Sequence, residues 1–151
     1  MKKLIMVAVL SLCVWHVCDS NAVRIKFVKP IATVTATMYY PTTGQCDKDP
    51  YLTAGLYKIN PKRASKQKWI ALSRDLLKRW GGKSHYGDKV FISGANKKDG
   101  VYTIVDTMNK RYKKRMDFLE TCGTKFYKYN DVKIYPYACN HKHKTKHGNK
   151  K

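Results

Sequence analysis

Short runs of β-branched, aromatic and aliphatic residues, each ended by turn-forming residues, constrain this chain more than any other feature. The longest run, Ala32 to Tyr40, reads ATVTATMYY and predicts a strand, because branched and aromatic side chains fit a pleated surface. Pro41 to Pro50 combines Pro, Thr, Gly, Gln and Asp and predicts a loop. Tyr51 to Ser65 predicts irregular backbone, with breaks at Gly55 and Pro61. Trp69 to Trp80 admits two readings. Apolar residues at 69, 72, 76 and 80 fit a single helical stripe. We prefer a division, because Trp69-Ile70-Ala71-Leu72 has no polar face. Those four residues form a short strand, and Ser73 caps a two-turn helix that stops before Gly81-Gly82. Lys89 to Ser93 and Val101 to Val105 predict two strands joined at Lys97-Lys98-Asp99-Gly100, where Asp-Gly is the hairpin signal. Arg115 to Leu119 and Val132 to Tyr135 predict two more. The 151 residues suffice for one core. Together these features predict a mainly β domain, a small closed barrel with one or two short helices. No internal repeat is apparent.

Both ends differ from this pattern. Residues 1–22 predict a secretory signal: Lys2 and Lys3 lead, Leu4 to Val14 is apolar, and Ser20-Asn21-Ala22 offers small residues for cleavage. The apolar stretch is short for a membrane span, and Trp15-His16 interrupts it. A lipoprotein signal would need a small residue before the cysteine, but Leu12 precedes Cys13 and Val17 precedes Cys18. Residues 140–151 are Lys, His, Thr, Asn and Gly, which have nothing to bury and predict a disordered basic tail. The barrel domain therefore runs from 23 to 139. Without Lys2, Lys3 and Asp19, the 31 basic and 10 acidic residues become 29 and 9. Such a field draws polyanions. Export argues against nucleic acid and toward anionic envelope polymers, although many lysines serve as a solvated surface. Cys46, Cys122 and Cys139 remain in the exported chain and are disulfide candidates, with three pairings open. Their spacing does not suit zinc.

Acidic residues are scarce enough that each needs a reason. Asp47, Asp49, Asp88, Asp99 and Asp131 stand among turn residues and have local explanations. Glu120 has none from its sequence context. Asp106 ends an apolar strand, and Asp117 lies inside another. Strands disfavour aspartate, so each must be hydrogen-bonded, paired or functional. Asp75 stands where it would complement the first turn of the short helix. His85 is a loop histidine, and the tail histidines 141, 143 and 147 offer at most adventitious metal contacts. Trp69, Trp80 and the tyrosines divide between packing and sugar stacking.

Four blocks then fall in order: Ala71-Leu72-Ser73-Arg74-Asp75, Tyr86-Gly87-Asp88-Lys89-Val90, Val105-Asp106-Thr107 and Arg115-Met116-Asp117. With Thr53-Ala54 ahead of them, they resemble the three-aspartate domain, which is related to the rare lipoprotein A-like and membrane-bound lytic transglycosylase A barrels. The resemblance spans about residues 33 to 135. It implies a six-stranded double-psi β-barrel and activity on peptidoglycan glycan strands. By position it implies Asp106 as main acid/base, Asp117 and Asp75 as supporting carboxylates, and Thr53, Thr107 and Arg115 at the substrate. Many relatives carry a Gly pair after Asp-Thr. Here Met108-Asn109 follows, and then a basic run from Lys110 to Arg115.

Lytic cleavage needs an acid at the glycosidic oxygen and then a base for the C6 hydroxyl that attacks C1. One carboxyl can serve both steps, without water, metal or cofactor. Neighbouring carboxylates would favour its protonated form, and cations the ionised form. The sequence thus predicts an exported monomer acting on glycan strands. The alternatives are a non-catalytic, expansin-like wall binder and a polycationic binder of phospholipid or lipopolysaccharide.

Overall fold

The computed structural model describes residues 29–46 and 49–137. The expected signal segment, the basic tail with its histidines, Asp47 and Cys139 lie outside the described residues.

Six strands form on the predicted runs: β1 Ala32–Tyr39, β2 Trp69–Leu72, β3 Lys89–Ser93, β4 Gly100–Thr107, β5 Arg115–Leu119 and β6 Tyr129–Pro136. They close into a barrel in the ring order β1-β5-β2-β4-β3-β6. The pairs β1–β5 and β2–β4 are parallel, and the other four contacts are antiparallel. Exchanging β1, β2 and β3 for β4, β5 and β6 leaves this ring and every strand direction unchanged. The barrel is a double-psi barrel of two interlocked halves.

The backbone repeats the relation in detail. Lys68 and Lys114, just before β2 and β5, both take a left-handed turn, with φ of 54° and 47°. Each then accepts a bond from the first strand of the other half. The Thr103 amide donates to the Lys68 carbonyl at 2.9 Å, and the Thr35 amide to that of Lys114 at 3.1 Å. This repeat escapes the sequence because it consists of hydrogen bonding and facing, which different residues satisfy equally.

Strand alternation fills the interior. Val34, Ala36, Met38, Ile70, Leu72, Ile104, Met116 and Phe118 point inward and are buried. Each large one contributes about 1.5–3 kcal/mol relative to exposure. The outward positions Tyr39, Ala71 and Leu119 form a second cluster, covered by Ile59, Ala64 and Met108. Ala64 arrives on a 3-10 segment, Pro61–Gln67, where irregular backbone is expected as far as Ser65. Pro61 starts this segment instead of breaking it, and the Asn60 side chain accepts from the Lys62 amide at 3.1 Å.

Two local expectations are corrected. The helix predicted after Ser73 is two single 3-10 turns, Arg74–Leu76 and Lys78–Trp80. Between them Leu77 is extended, because its side chain is buried in the barrel core and the Leu76 and Leu77 carbonyls bond to residues 82 to 84. Ser73 does not cap this segment; its hydroxyl accepts from the Arg115 amide at 3.0 Å. The β3–β4 hairpin exists, but its loop runs from 94 to 99. Asp99 closes it by accepting the Gly94 and Ala95 amides, so the Asp-Gly pair does not form a two-residue turn.

Candidate functional site

Asp117 and Asp106 lie in one row across the barrel wall. The register aligns Thr37 of β1 with Asp117 of β5, Asp117 with Ala71 of β2, and Ala71 with Asp106 of β4. Only Ala71 separates the two acids, so two strand spacings of about 4.8 Å set their backbone separation.

A local irregularity creates this row. Tyr102 and Ile104 face inward, and strict alternation would send Asp106 into the core. The register shifts between Ile70 and Ala71, where Val105 is the additional residue on β4. That bulge turns Asp106 outward.

Asp106 accepts from three donors among its contacts. Its Oδ1 accepts the Ala54 amide at 3.0 Å and the Thr107 amide at 2.8 Å. Its Oδ2 accepts the Tyr39 hydroxyl at 3.2 Å. Burial pushes the Tyr39 hydroxyl far above its ordinary range, and the charges of Asp106 and Asp117 add to the effect. Tyr39 therefore stays a proton donor to Asp106. Sequence reasoning missed it. The period-2 pattern of β1 puts Thr37 and Tyr39 on the outward face, but only the strand register shows what they meet.

Asp117 is half-buried. Burial raises its pKa, against the Thr37 hydroxyl, which donates to Oδ1, and against the Arg115 charge. Asp75 serves the backbone: its Oδ2 accepts the Lys114 amide at 3.0 Å, fixing the left-handed residue before β5. Burial works to raise its pKa but is outweighed by the Ser73 hydroxyl and the Lys114 amide, so the net shift is downward. Asp106 and Asp117 thus share one row and both act electrostatically on Tyr39, while Asp75 is committed to the turn beside Ser73.

An open cavity of about 460 Å³ adjoins Asp106. Its walls include Gly55, Tyr57, Arg79, Ser84, His85 and Tyr86. The 53–57 loop lies against β4 because Gly55 has no side chain: a Cβ there would come within 2.8 Å of the Val105 carbonyl oxygen. Tyr86 brings the cavity to the acid. Burial raises its pKa, a hydrogen bond with Thr107 opposes this, and the Asp106 charge adds to the rise.

The other expected contacts divide. Thr107 belongs to the site through Tyr86 and the Asp106 carboxylate. Thr53 is 3% exposed, and its hydroxyl accepts the Tyr57 amide at 3.0 Å, so it shapes the loop. Arg115 lies over the Tyr112 ring at 5.2 Å and acts electrostatically on Asp117. In the basic run, Lys110, Arg111, Lys113 and Lys114 are exposed, where solvent and salt screen them. Met108, in place of a glycine, is buried in the outer cluster. The Cys46 thiol donates to the Tyr40 carbonyl at 3.4 Å, Cys122 is exposed, and the two are not bridged to each other. Among the described residues, no three His, Cys, Asp or Glu side chains gather to hold a metal ion.

Glu120, unexplained by sequence, is 3% exposed at the end of β5 remote from Asp106. It accepts from the Lys98 ammonium and from the Tyr127 hydroxyl, the latter at 2.6 Å. Asp49 and Asp88 accept nearby amides at turns, as their sequence context suggests.

No family model matches this chain, and no match was found among curated proteins or solved structures.

Proposed function

We propose that this protein is an exported, peptidoglycan-active lytic transglycosylase that uses Asp106 as its acid/base. The observation carrying this reading is Asp106 itself: a carboxylate turned out of the barrel by a bulge, held by Ala54, Thr107 and Tyr39, beside an open cavity. A glycan strand lying in that cavity meets Asp106 at its edge. Protonated Asp106 delivers its proton to the glycosidic oxygen as the bond to C1 breaks. The resulting carboxylate takes the proton of the C6 hydroxyl as that oxygen closes on C1. The product is an anhydro sugar, and Asp106 regains its proton. Asp117 supports the step by placing a second carboxyl on the same face, since like charges resist joint ionisation. Tyr39 holds the Asp106 carboxyl in one orientation.

The three donors at Asp106 favour a second reading, because they complement a standing negative charge. In that case the barrel binds wall glycan without cleaving it, as expansins do. Incubating the chain with sacculi and analysing the soluble products by mass spectrometry separates the two. Anhydro-muropeptides released by the wild type and absent with Asp106→Asn support cleavage. Co-sedimentation without products supports binding, and neither result leaves both wall readings without support.

A further inference from the structure

We infer that the cavity beside Asp106 is a subsite for a carboxylate carried by the sugar strand; this inference rests on the glycan reading above and deepens it. The cavity walls carry Lys78, Arg79 and His85, and among the described residues no acidic side chain lines them. Arg79 does not stand alone. Its guanidinium lies 5.4 Å from the centroid of the Trp80 ring, and that of Arg74 lies 5.1 Å from the same ring. Both arginines also act electrostatically on Tyr86, which lines the cavity. The indole thus gathers two planar cations, of which Arg79 lines the cavity.

One donor that lines the cavity, and one on the arginine that shares the Trp80 ring, lack hydrogen-bond partners among the described residues. Arg74 Nε is buried without a hydrogen bond. Ser84 lines the cavity, is 2% exposed, and its Oγ also has none. Buried N–H and O–H groups are ordinarily satisfied, so the orphaned Ser84 hydroxyl in a cationic wall calls for an acceptor from outside the chain. A carboxylate meets both needs, supplying negative charge and two planar oxygens for a guanidinium fork. Neutral hydroxyls and N-acetyl groups supply acceptors without the charge. The wall itself is built by a close turn. At Gly82 a Cβ would stand 2.1 Å from the Leu76 carbonyl carbon, so only glycine lets the chain fold back this closely on Leu76.

The test is calorimetric titration of the full chain carrying Asp106→Asn, which keeps bound sugar intact. The probes are a GlcNAc-MurNAc tetrasaccharide, the same tetrasaccharide with its carboxyls reduced to alcohols, and inorganic phosphate. We expect the acidic sugar to bind at least tenfold tighter than the reduced one. That preference should fall with salt and disappear in Arg79→Gln. Arg79 is exposed, so this variant keeps the fold; Arg74→Gln is the second variant and should reduce the preference as well. Equal affinity for the acidic and reduced sugars overturns the inference. Binding of phosphate as tight as that of the acidic sugar also overturns it, because a free anion would then be the whole ligand. Failure of the catalytic reading appears separately: wild-type chain that releases no anhydro product while retaining the carboxylate preference keeps the subsite and loses the reaction.

Discussion

The barrel carries two carboxylate sites whose surroundings contrast. Glu120 is enclosed, and a lysine supplies the opposite charge. Asp106 lies beside an open cavity and is held by neutral donors. A buried acid paired with its own cation is already neutralised, so it has little left to offer a ligand. An acid beside an open cavity is within reach of something outside the chain. The difference assigns Glu120 to stability and Asp106 to chemistry, although both sit at the margins of apolar strands.

The largest expected effect breaks the comparison on the side of activity. Asp106→Asn keeps the shape but cannot shuttle a proton, so glycan cleavage should fall by about 10²–10⁴-fold, the usual contribution of a positioned acid/base. Its urea midpoint should stay near that of the wild type. Initial rates of fragment release from sacculi, with unfolding curves on the same samples, check both halves. An Asp106→Asn variant that unfolds easily and still cleaves would exchange the roles of the two acids.

Next come changes at the other site. Glu120→Gln removes the charge that balances Lys98 and weakens the bond from Tyr127. Lys98 is partly exposed, so the loss should be about 2–3 kcal/mol, below that of a fully enclosed pair. Denaturant unfolding reads it, with cleavage per folded molecule unchanged. A somewhat smaller cost, about 1–3 kcal/mol, is expected for Gly82→Ala, where the added Cβ meets the Leu76 backbone and the loop must shift. This variant should also weaken glycan binding, because the displaced loop carries Arg79 and Trp80. A melting curve and a binding isotherm together separate the two effects.

The contrast also shows how far the sequence can be read. All six strands were legible because β-branched runs and turn residues are local signals, and so was the division after Leu72. The two-turn helix was not legible: local pattern favours it, but the burial of Leu77 in the core straightens the chain there. Asp106 and Asp117 were marked by aspartate in apolar strands. Their shared face was not, because it depends on the bulge at Val105 and on parallel pairings between distant segments. Asp75 carried the same motif weight yet serves the Lys114 amide, a contact spanning 39 residues. The bond from Tyr39 to Asp106 and the gathering of Arg74 and Arg79 at the Trp80 ring were missed for the same reason, since each contact is set by neighbours that the sequence does not show.

The smallest expected effect concerns acid, and it has opposite signs at the two sites. Burial acts to raise the Glu120 pKa, but Lys98, Ser65 and Tyr127 outweigh it and hold the group below its ordinary 4.5. A depressed folded pKa stabilises the fold above the unfolded value, and that stability is lost as pH falls through the folded one. Asp117 is shifted the other way, raised above 3.8 by burial. The folded chain takes up this proton more readily than the unfolded chain, so acidification through that window adds stability. Urea midpoints between pH 7 and pH 3 should therefore fall less steeply in Glu120→Gln than in the wild type, and more steeply in Asp117→Asn. Parallel curves for the two variants would mean that the acids share one environment, and the division between a structural and a chemical carboxylate would fail.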